Sequence, residues 1–167
     1  MAYNVVVMGV SGVGKTTVAR LLSERLGLPY AEADDFHPPA NIAKMSAGTP
    51  LDDADRQPWL EAIGTWLQQQ NDAGVGGVVT CSALKRRYRD TLRAACPDVW
   101  FLHLAGPHDL VADRIGHRAG HFMPVSLLDS QYSTLEPLAA DERGAVLDAG
   151  PAPDELVDAA VRLLTAS

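Results

Sequence analysis

Short apolar runs alternate along the chain with longer segments in which apolar residues recur at helical spacing. The short runs predict five β-strands, at residues 4–8, 29–33, 77–81, 99–104 and 145–147. Strands that alternate with helices are typical of βαβ units, in which helices cover a parallel sheet. We therefore expect an α/β fold with a five-stranded parallel sheet flanked by helices.

Apolar stripes of helical period predict helices around residues 18–26, 59–67, 84–95 and 156–164. The first of these follows the first strand and ends at Gly27. Residues 34–58, in contrast, contain many Pro and Asp, one Gly and little clean periodicity. A stretch of this kind in a compact domain is usually a functional loop or an insertion of short helices.

Composition adds bounds on the class of protein. The 167 residues are 47% hydrophobic and 21% charged, which fits one globular domain spanning 1–167. The formal net charge of −7 argues against a nucleic acid or an anionic membrane as the main partner. The apolar run at residues 5–8 is too short to span a bilayer and lacks the features of a signal peptide. We expect a cytoplasmic protein with no nucleic-acid or membrane partner.

The strongest chemical signal is a phosphate-binding loop at residues 9–16, Gly-Val-Ser-Gly-Val-Gly-Lys-Thr, which fits G-x-x-x-x-G-K-[ST] in full. It follows a predicted strand and opens a predicted helix, the context in which backbone N–H groups surround phosphate oxygens. No Asn of the chain is followed by Lys, so the base-reading motif of GTPases is missing. A short P-loop chain of this type favours a small kinase that uses ATP.

Roles within this loop follow from its chemistry. Lys15 can reach the β- and γ-phosphates, and the hydroxyl of Thr16 can bind Mg²⁺. The predicted nucleotide-binding residues of this loop are Gly9, Ser11, Gly12, Val13, Gly14, Lys15, Thr16 and Thr17.

A second group of candidates lies where the second predicted strand ends, in Glu32-Ala33-Asp34-Asp35-Phe36-His37. Ligands gather at the carboxyl ends of strands in doubly wound sheets, so Asp34 is placed to accept a proton from an attacking hydroxyl. The alternative is that Asp34 and Asp35 only cap the following helix. His37 is either a hydrogen-bond donor to the substrate or a packed loop histidine.

At this point the sequence resembles the gluconokinase family of small P-loop kinases over most of its length. The blocks that carry the resemblance are Met8-Gly9-Val10-Ser11-Gly12, Asp34, His37-Pro38, Asn41-Ile42, Lys44-Met45, Gly48-x-Pro50-Leu51, Asp53-x-Asp55-Arg56-x-Pro58-Trp59-Leu60, Cys81-Ser82-Ala83-Leu84-Lys85, Tyr88-Arg89-Asp90, Gly120-His121-Phe122 and Ala140-Asp141-Glu142-Arg143. The resemblance implies a P-loop kinase fold, transfer of the ATP γ-phosphate to the 6-hydroxyl of D-gluconate, and a possible homodimer. The family usually has D-G-D where this chain has Glu32-Ala33-Asp34, which leaves the role of Glu32 open.

Cations that could bind an acidic substrate occur in two of these blocks. Lys85, Arg89 and Arg93 recur every four residues and so share one helix face. Lys85 and Arg89 are predicted to bind substrate, with Lys85 nearest the strand end. Arg56 is either a surface ion-pair partner or a bidentate clamp on the gluconate carboxylate.

A mobile lid is predicted at about residues 114–134, where two arginines precede a glycine. Resemblance to small P-loop kinases places Arg114 near adenine and Arg118 on the phosphates, as a catalytic residue that stabilises charge. The alternative is that both arginines are exposed. We also count His121 among the substrate-binding residues; a metal site at His117 and His121 lacks an evident third ligand.

Two other functions are compatible with the same motifs. One is another small-molecule kinase, such as a shikimate-kinase-like enzyme. The other is a nucleotide-binding switch that holds ATP with negligible transfer. Asp34, Lys85 and the predicted lid accompany the phosphate loop and favour an enzyme, because a switch needs no site for an acceptor.

Overall fold

The computed structural model describes residues 2–116 and 125–166. Its sheet contains β1 (Tyr3–Met8), β2 (Tyr30–Glu32), β3 (Gly76–Thr80), β4 (Trp100–Ala105) and β5 (Gly144–Asp148). The strand order is β2-β3-β1-β4-β5 and every neighbouring pair is parallel. The predicted five-stranded parallel sheet is therefore confirmed, and each predicted strand end lies within one residue of the observed one.

The helices are α1 (Lys15–Leu26), α2 (Pro39–Ser46), α3 (Asp53–Asp72), α4 (Arg86–Ala95), α5 (His108–Gly116), α6 (Val125–Thr134) and α7 (Pro153–Thr165). A 3₁₀-helix (Ala33–Phe36) follows β2 directly. Of the two expectations for residues 34–58, the insertion of short helices is correct. α3 begins before its apolar stripe because Asp52 and Asp55 form a capping box at its start.

β1 shows why helices cover both faces of the sheet. Successive strand residues point to opposite faces. Val5 and Val7 pack with residues of α1 and α7, whereas Val6 and Met8 pack with residues of α3 and α4. All four side chains are fully buried, so both faces of this central strand are shielded from water.

Within residues 2–116 and 125–166, no helix is long and apolar enough to cross a membrane.

The parallel arrangement brings several loops to one edge of the sheet. Glu32 of β2 is in register with Thr80 of β3, and Val7 of β1 is in register with the same residue. The loops that follow these three strands therefore start side by side. They carry the phosphate motif, the Asp34 segment and the Lys85 segment.

Candidate active site

The loop between β1 and α1 has the backbone geometry that phosphate binding requires. Gly9, Gly12 and Gly14 have φ angles of 144°, 84° and 103°, which residues with side chains rarely adopt. At Gly9 an added Cβ would lie 2.7 Å from the carbonyl oxygen of Leu104, so the loop passes too close to β4 for a larger residue. α1 begins directly after this loop, with no acidic residue in its first turn. The positive end of the helix dipole therefore points at the loop, where it favours an anion.

Lys15 lies against the same loop. Its Nζ donates to the carbonyl oxygens of Gly9 (2.9 Å) and Val10 (3.1 Å). Thr16 and Thr17 follow in the first turn of α1, while the side chain of Val13 is buried in the core, which leaves only its backbone for a ligand. The residues predicted to bind nucleotide within this motif are thus brought together.

Arg114, in the last turn of α5, also reaches this loop. Its guanidinium donates to the carbonyl oxygens of Val13 (3.2 Å) and Ala149 (2.6 Å). The side chain therefore links the phosphate loop to the segment after β5. This placement agrees with an Arg114 on the nucleotide side, and its contact with adenine stays a prediction.

Glu32 lies beside the phosphate loop, at the end of β2. Its Oε2 accepts a hydrogen bond from Thr80 Oγ1 (2.6 Å), and the hydroxyl of Tyr30 donates to the same carboxylate. Burial alone would raise the pKa of the Glu32 carboxyl, but hydroxyl groups, including that of Thr16, outweigh burial and hold this pKa below its ordinary value. An ionised carboxylate is thus fixed next to the threonine that the sequence assigned to magnesium.

Asp34 is exposed and lies within the 3₁₀-helix that follows Glu32. The helix-cap alternative is wrong for both Asp34 and Asp35, since α2 starts only after Pro38 and has no side-chain cap. Neither carboxylate caps α2, so capping does not occupy the oxygen atoms of Asp34 or Asp35.

Cys81 marks the point at which the donor and acceptor sides of the site meet. Its side chain is buried directly after β3, and burial raises the pKa of its thiol to about 11. The charges of Lys15 and Asp34 both act on this thiol. The phosphate-loop lysine and the acceptor-end carboxylate therefore lie near one buried position, although 19 positions separate them in the sequence.

His37 is packed and at the same time close to the candidate catalytic groups. Its ring stacks on Trp59 with a centroid separation of 4.4 Å and an interplanar angle of 9°. Burial lowers the pKa of His37, while the charge of Asp34 raises it and that of Arg56 lowers it. The two alternatives for His37 are not exclusive: a ring held by Trp59 lies within electrostatic range of Asp34 and Arg56.

The two cations predicted to bind a substrate carboxylate already converge on a carboxylate of this chain. Arg56 Nη1 lies 3.8 Å and Lys85 Nζ 3.7 Å from Asp53 Oδ1. Arg87 Nη1 lies 2.7 Å from Asp53 Oδ2, and the Tyr88 hydroxyl donates to Oδ1 at 2.5 Å. The Tyr88 hydrogen bond and the charges of the three cations lower the pKa of the Asp53 carboxyl. We call these three cations, with Asp53 and Tyr88, the Asp53 cluster.

The prediction that Arg89 binds substrate is not supported by its environment. Its side chain is 0% exposed and forms a two-point ion pair with Glu142, Nε to Oε1 at 2.7 Å and Nη2 to Oε2 at 3.0 Å. Nη1 donates to the carbonyl oxygen of Ala83 at 2.8 Å. A guanidinium enclosed in this way has no atom at the surface, so Arg89 stabilises the structure around the site.

Three sequence predictions fall on residues 117–124, which lie outside the described residues. They are the catalytic Arg118, the substrate-binding His121 and the central part of the predicted lid. The dismissed metal pair of His117 and His121 lies there too. Within the described ranges, no three His, Cys, Asp or Glu side chains are grouped as metal ligands would be.

Sequence reasoning overlooked two contributors to this site. Glu32 was left open, although a Glu in place of the first Asp of D-G-D preserves the carboxylate. Asp53 was named only as part of a family block, because nothing in its local sequence indicates that Lys85 and Arg87 join Arg56 beside it.

Comparison with known proteins yields one family. The family model described as shikimate kinase matches residues 11–148. A gluconokinase of Gluconobacter oxydans (strain 621H) is 50% identical over 157 residues, which are 94% of this chain and 88% of that protein.

Solved structures agree. A sugar kinase from Janibacter sp. HTCC2649 superposes with a TM-score of 0.91 at 52% identity, covering 99% of this chain and 95% of that one. A gluconokinase from Sinorhizobium meliloti 1021 gives a TM-score of 0.88 at 45% identity, covering 98% of this chain and 92% of that one.

Proposed function

The chain belongs to the gluconokinase family, within the shikimate-kinase-like P-loop kinases, and we propose that it transfers the γ-phosphate of ATP to the 6-hydroxyl of D-gluconate. ADP and 6-phospho-D-gluconate are the products. The observation that supports the proposal is the register of β1, β2 and β3, because it starts the phosphate loop and the segments that carry Asp34 and Lys85 side by side at one edge of the sheet.

On the donor side, the loop amides and Lys15 bind the phosphates and stabilise negative charge that develops during transfer. Phosphoryl transfer needs mainly positioning and charge stabilisation from the protein. Arg114 supports the loop through Val13. Arg118 adds a further positive charge on the phosphates in this proposal.

Magnesium fits the donor side by the chemistry of its residues. The Thr16 hydroxyl and the Glu32 carboxylate are oxygen donors of the type that Mg²⁺ prefers, directly or through water. The ion would neutralise charge on the β- and γ-phosphoryl oxygens. Thr16 would hold it directly and Glu32 would orient its water ligands.

On the acceptor side, Asp34 orients the 6-hydroxyl and accepts its proton as the bond to phosphorus forms. Arg56 and Lys85 bind the gluconate carboxylate at the opposite end of the sugar chain. The Asp53 cluster supports this role, because the same two cations already lie within 4 Å of a carboxylate oxygen. His37 and His121 are proposed to contact the hydroxyl groups of gluconate.

One kinase domain over 1–167 with a lid at about 114–134 stays a prediction. So do a homodimer, a cytoplasmic location and the absence of nucleic-acid and membrane partners. Each is a sequence-based expectation that size-exclusion chromatography, limited proteolysis with and without nucleotide, or fractionation can test.

A coupled assay of ADP release tests the proposed function. We expect rapid release with ATP, Mg²⁺ and D-gluconate, and slow release with shikimate, with a neutral alditol or without an acceptor. Lys15→Ala serves as the inactive control, since loss of the ammonium removes several kcal/mol of charge stabilisation, on the order of an oxyanion-hole donor.

Two results would contradict the proposal. A rate with shikimate that equals or exceeds the rate with gluconate would favour a shikimate-kinase-like enzyme. ADP release that is negligible or independent of any acceptor would favour an ATP-binding switch.

A further inference from the structure

Gln131, on α6, is hydrogen-bonded to the phosphate loop. Its Oε1 accepts from the backbone N–H of Ser11 at 2.7 Å, and its Nε2 donates to Ser11 Oγ at 3.0 Å. The two residues are 120 positions apart in the sequence. One side-chain amide thus fixes both the peptide direction and the hydroxyl orientation of a residue in the middle of the loop.

The chain just after Gln131 contacts the acceptor side. The backbone N–H of Glu136 donates to the carbonyl oxygen of Leu84 at 2.7 Å, and Glu136 Oε1 accepts from the backbone N–H of Arg86 at 2.9 Å. Leu84 and Arg86 flank Lys85, one of the two candidate ligands for the gluconate carboxylate. Glu136 therefore brackets Lys85 through the backbone on both sides.

The stretch between these contacts is itself held in place. The N–H of Leu135 donates to the carbonyl oxygen of Gln131 at 2.9 Å, and the hydroxyl of Tyr132 donates to the carbonyl oxygen of Gly106 at 2.7 Å. Residues 131–136, which we call the 131–136 bridge, thus connect the loop after β1 to the loop after β3 with short hydrogen bonds throughout. These contacts form the physical route by which a displacement at one end would reach the other.

We propose that Gln131 is a positioning residue for the nucleotide, and that the 131–136 bridge makes the affinity for nucleotide and for gluconate interdependent. A phosphate loop binds through the direction of its amides, so the residue that fixes the Ser11 peptide sets how well the loop matches a triphosphate. Interdependence then follows because Glu136 carries the position of the bridge to Lys85. Such coupling is reciprocal between two ligands. The inference rests on the proposed function for the identity of the second ligand.

Direct binding measurements on the full chain test the inference. The non-hydrolysable ATP analogue AMP-PNP, with Mg²⁺, is titrated into wild type, Gln131→Ala, Gln131→Met and Ser130→Ala. Gluconate is then titrated with and without saturating AMP-PNP. Gln131→Met keeps the length of the side chain and removes its hydrogen bonds, and Ser130→Ala is a control on an exposed position of the same helix.

We expect both Gln131 variants to raise the Kd for AMP-PNP about tenfold, because a loop released from Gln131 adopts the binding-competent conformation only about a tenth of the time. The Kd for gluconate alone should change less than about twofold, because the hydrogen bonds that these variants remove lie at the phosphate loop. AMP-PNP should tighten gluconate binding to wild type and to Ser130→Ala, and this tightening should disappear in the Gln131 variants. Glu136→Ala should keep the wild-type Kd for AMP-PNP and lose the same tightening.

Three results would overturn the inference. One is an unchanged Kd for AMP-PNP in Gln131→Met. Another is a parallel loss of gluconate affinity without nucleotide, which would mean general loosening of the fold. The third is a wild type in which AMP-PNP leaves gluconate affinity unchanged. If wild type does not phosphorylate gluconate, the proposed function fails, while the AMP-PNP titration still decides the role of Gln131.

Discussion

Two charged residues near the candidate site, Glu32 and Arg89, have environments that their sequence positions do not indicate. Glu32 departs from the family pattern, yet it lies among hydroxyl groups beside Thr16 and stays ionised. Arg89 was predicted to share a helix face with Lys85, yet Lys85 precedes α4 and Arg89 is enclosed by Glu142 and Ala83. At the scale of single residues, the chemistry of a side chain depends on the neighbours that the fold places around it. Substitutions of one residue at a time test that dependence.

Asp34→Asn should reduce turnover with gluconate by about 10²-fold or more, the usual contribution of a positioned general base. The amide keeps the shape of the side chain but cannot accept the proton of the 6-hydroxyl. Asp35→Asn is the matched control, because Asp35 is the next residue of the same 3₁₀-helix and is also exposed. Equal losses in the two variants, or a large fall in the thermal midpoint of Asp34→Asn, would argue against a catalytic Asp34.

Lys85→Met and Arg56→Met should each raise the KM for gluconate about tenfold or more, since a charge-assisted hydrogen bond contributes roughly 1.5–3 kcal/mol. The Kd for ATP without gluconate should stay nearly constant. Arg25→Met, which removes an exposed cation paired with Asp158, controls for the change in net charge. A gluconate KM that neither variant raises would place the carboxylate-binding residues elsewhere.

Glu32→Gln should raise the Mg²⁺ concentration needed for half-maximal rate by about tenfold or more, the cost typical of losing a residue that orients a metal's ligands. Glu32→Asp keeps the charge and should retain much of the activity. Glu24→Gln, an exposed position of α1, is the control. If Glu32→Gln and wild type show the same Mg²⁺ dependence, Glu32 serves the fold through Thr80 and not the metal.

At the scale of secondary-structure elements, the loop between β3 and α4 requires support from outside itself. Ala83 has a φ of 45°, which costs energy for a residue with a Cβ. Arg89 holds the carbonyl oxygen of Ala83 and pairs with Glu142, which in turn accepts from the N–H of Ala139 at 2.8 Å. The Arg89–Glu142 pair thus fastens α4 and the segment after α6 to the loop that carries Lys85.

Arg89→Met should lower the free energy of unfolding by about 3–5 kcal/mol, because it leaves the buried carboxylate of Glu142 without its main partner. Arg86→Met should cost much less, since the pair of Arg86 with Asp141 is exposed to solvent on both sides. Urea denaturation of both variants measures the difference. Similar losses in the two variants would contradict the structural role of Arg89.

At the scale of the whole molecule, the free energy of unfolding depends on pH through buried titratable groups such as His103 and Glu142. His103 on β4 is 3% exposed, and its Nδ1 has no hydrogen-bond partner among residues 2–116 and 125–166. Burial, aided by the charge of Arg89, lowers the pKa of His103. Burial would raise the pKa of Glu142, but the bonds from Arg89 and Ala139 lower it to about 2.

The free energy of unfolding should therefore fall in two stages as pH decreases. Below about pH 6.5, the ordinary pKa of His, the unfolded chain takes up a proton that folded His103 resists. Below about pH 4.5, unfolded Glu142 is protonated while the folded carboxyl stays ionised until about pH 2. Urea midpoints between pH 8 and pH 3 measure both stages. His103→Gln should reduce the first stage and leave the share of His37, whose pKa burial also lowers. A stability that is constant between pH 8 and pH 5 in wild type would contradict the assignment to His103.

The sequence by itself determined the sheet, the phosphate loop and the family. These depend on local signals: apolar runs long enough for one strand each, glycines where φ must be positive, and a lysine and threonine at fixed spacing after them. Such signals can be read from the sequence because a few neighbouring residues decide the backbone conformation and the burial of an apolar stripe. The start of α3 was missed by several residues only because its capping box precedes the apolar stripe.

Only the tertiary structure decided which charges meet. The spacing of four residues makes Lys85 and Arg89 equivalent in a predicted helix. In the structure Lys85 precedes α4 and is partly exposed, whereas Glu142 and Ala83 enclose Arg89. Arg56 and Lys85 share Asp53 because α3 and α4 pack side by side, and Gln131 reaches Ser11 from 120 residues away. The energy of a charge or a hydrogen bond depends on distance and burial, and both are set by contacts between segments remote in sequence.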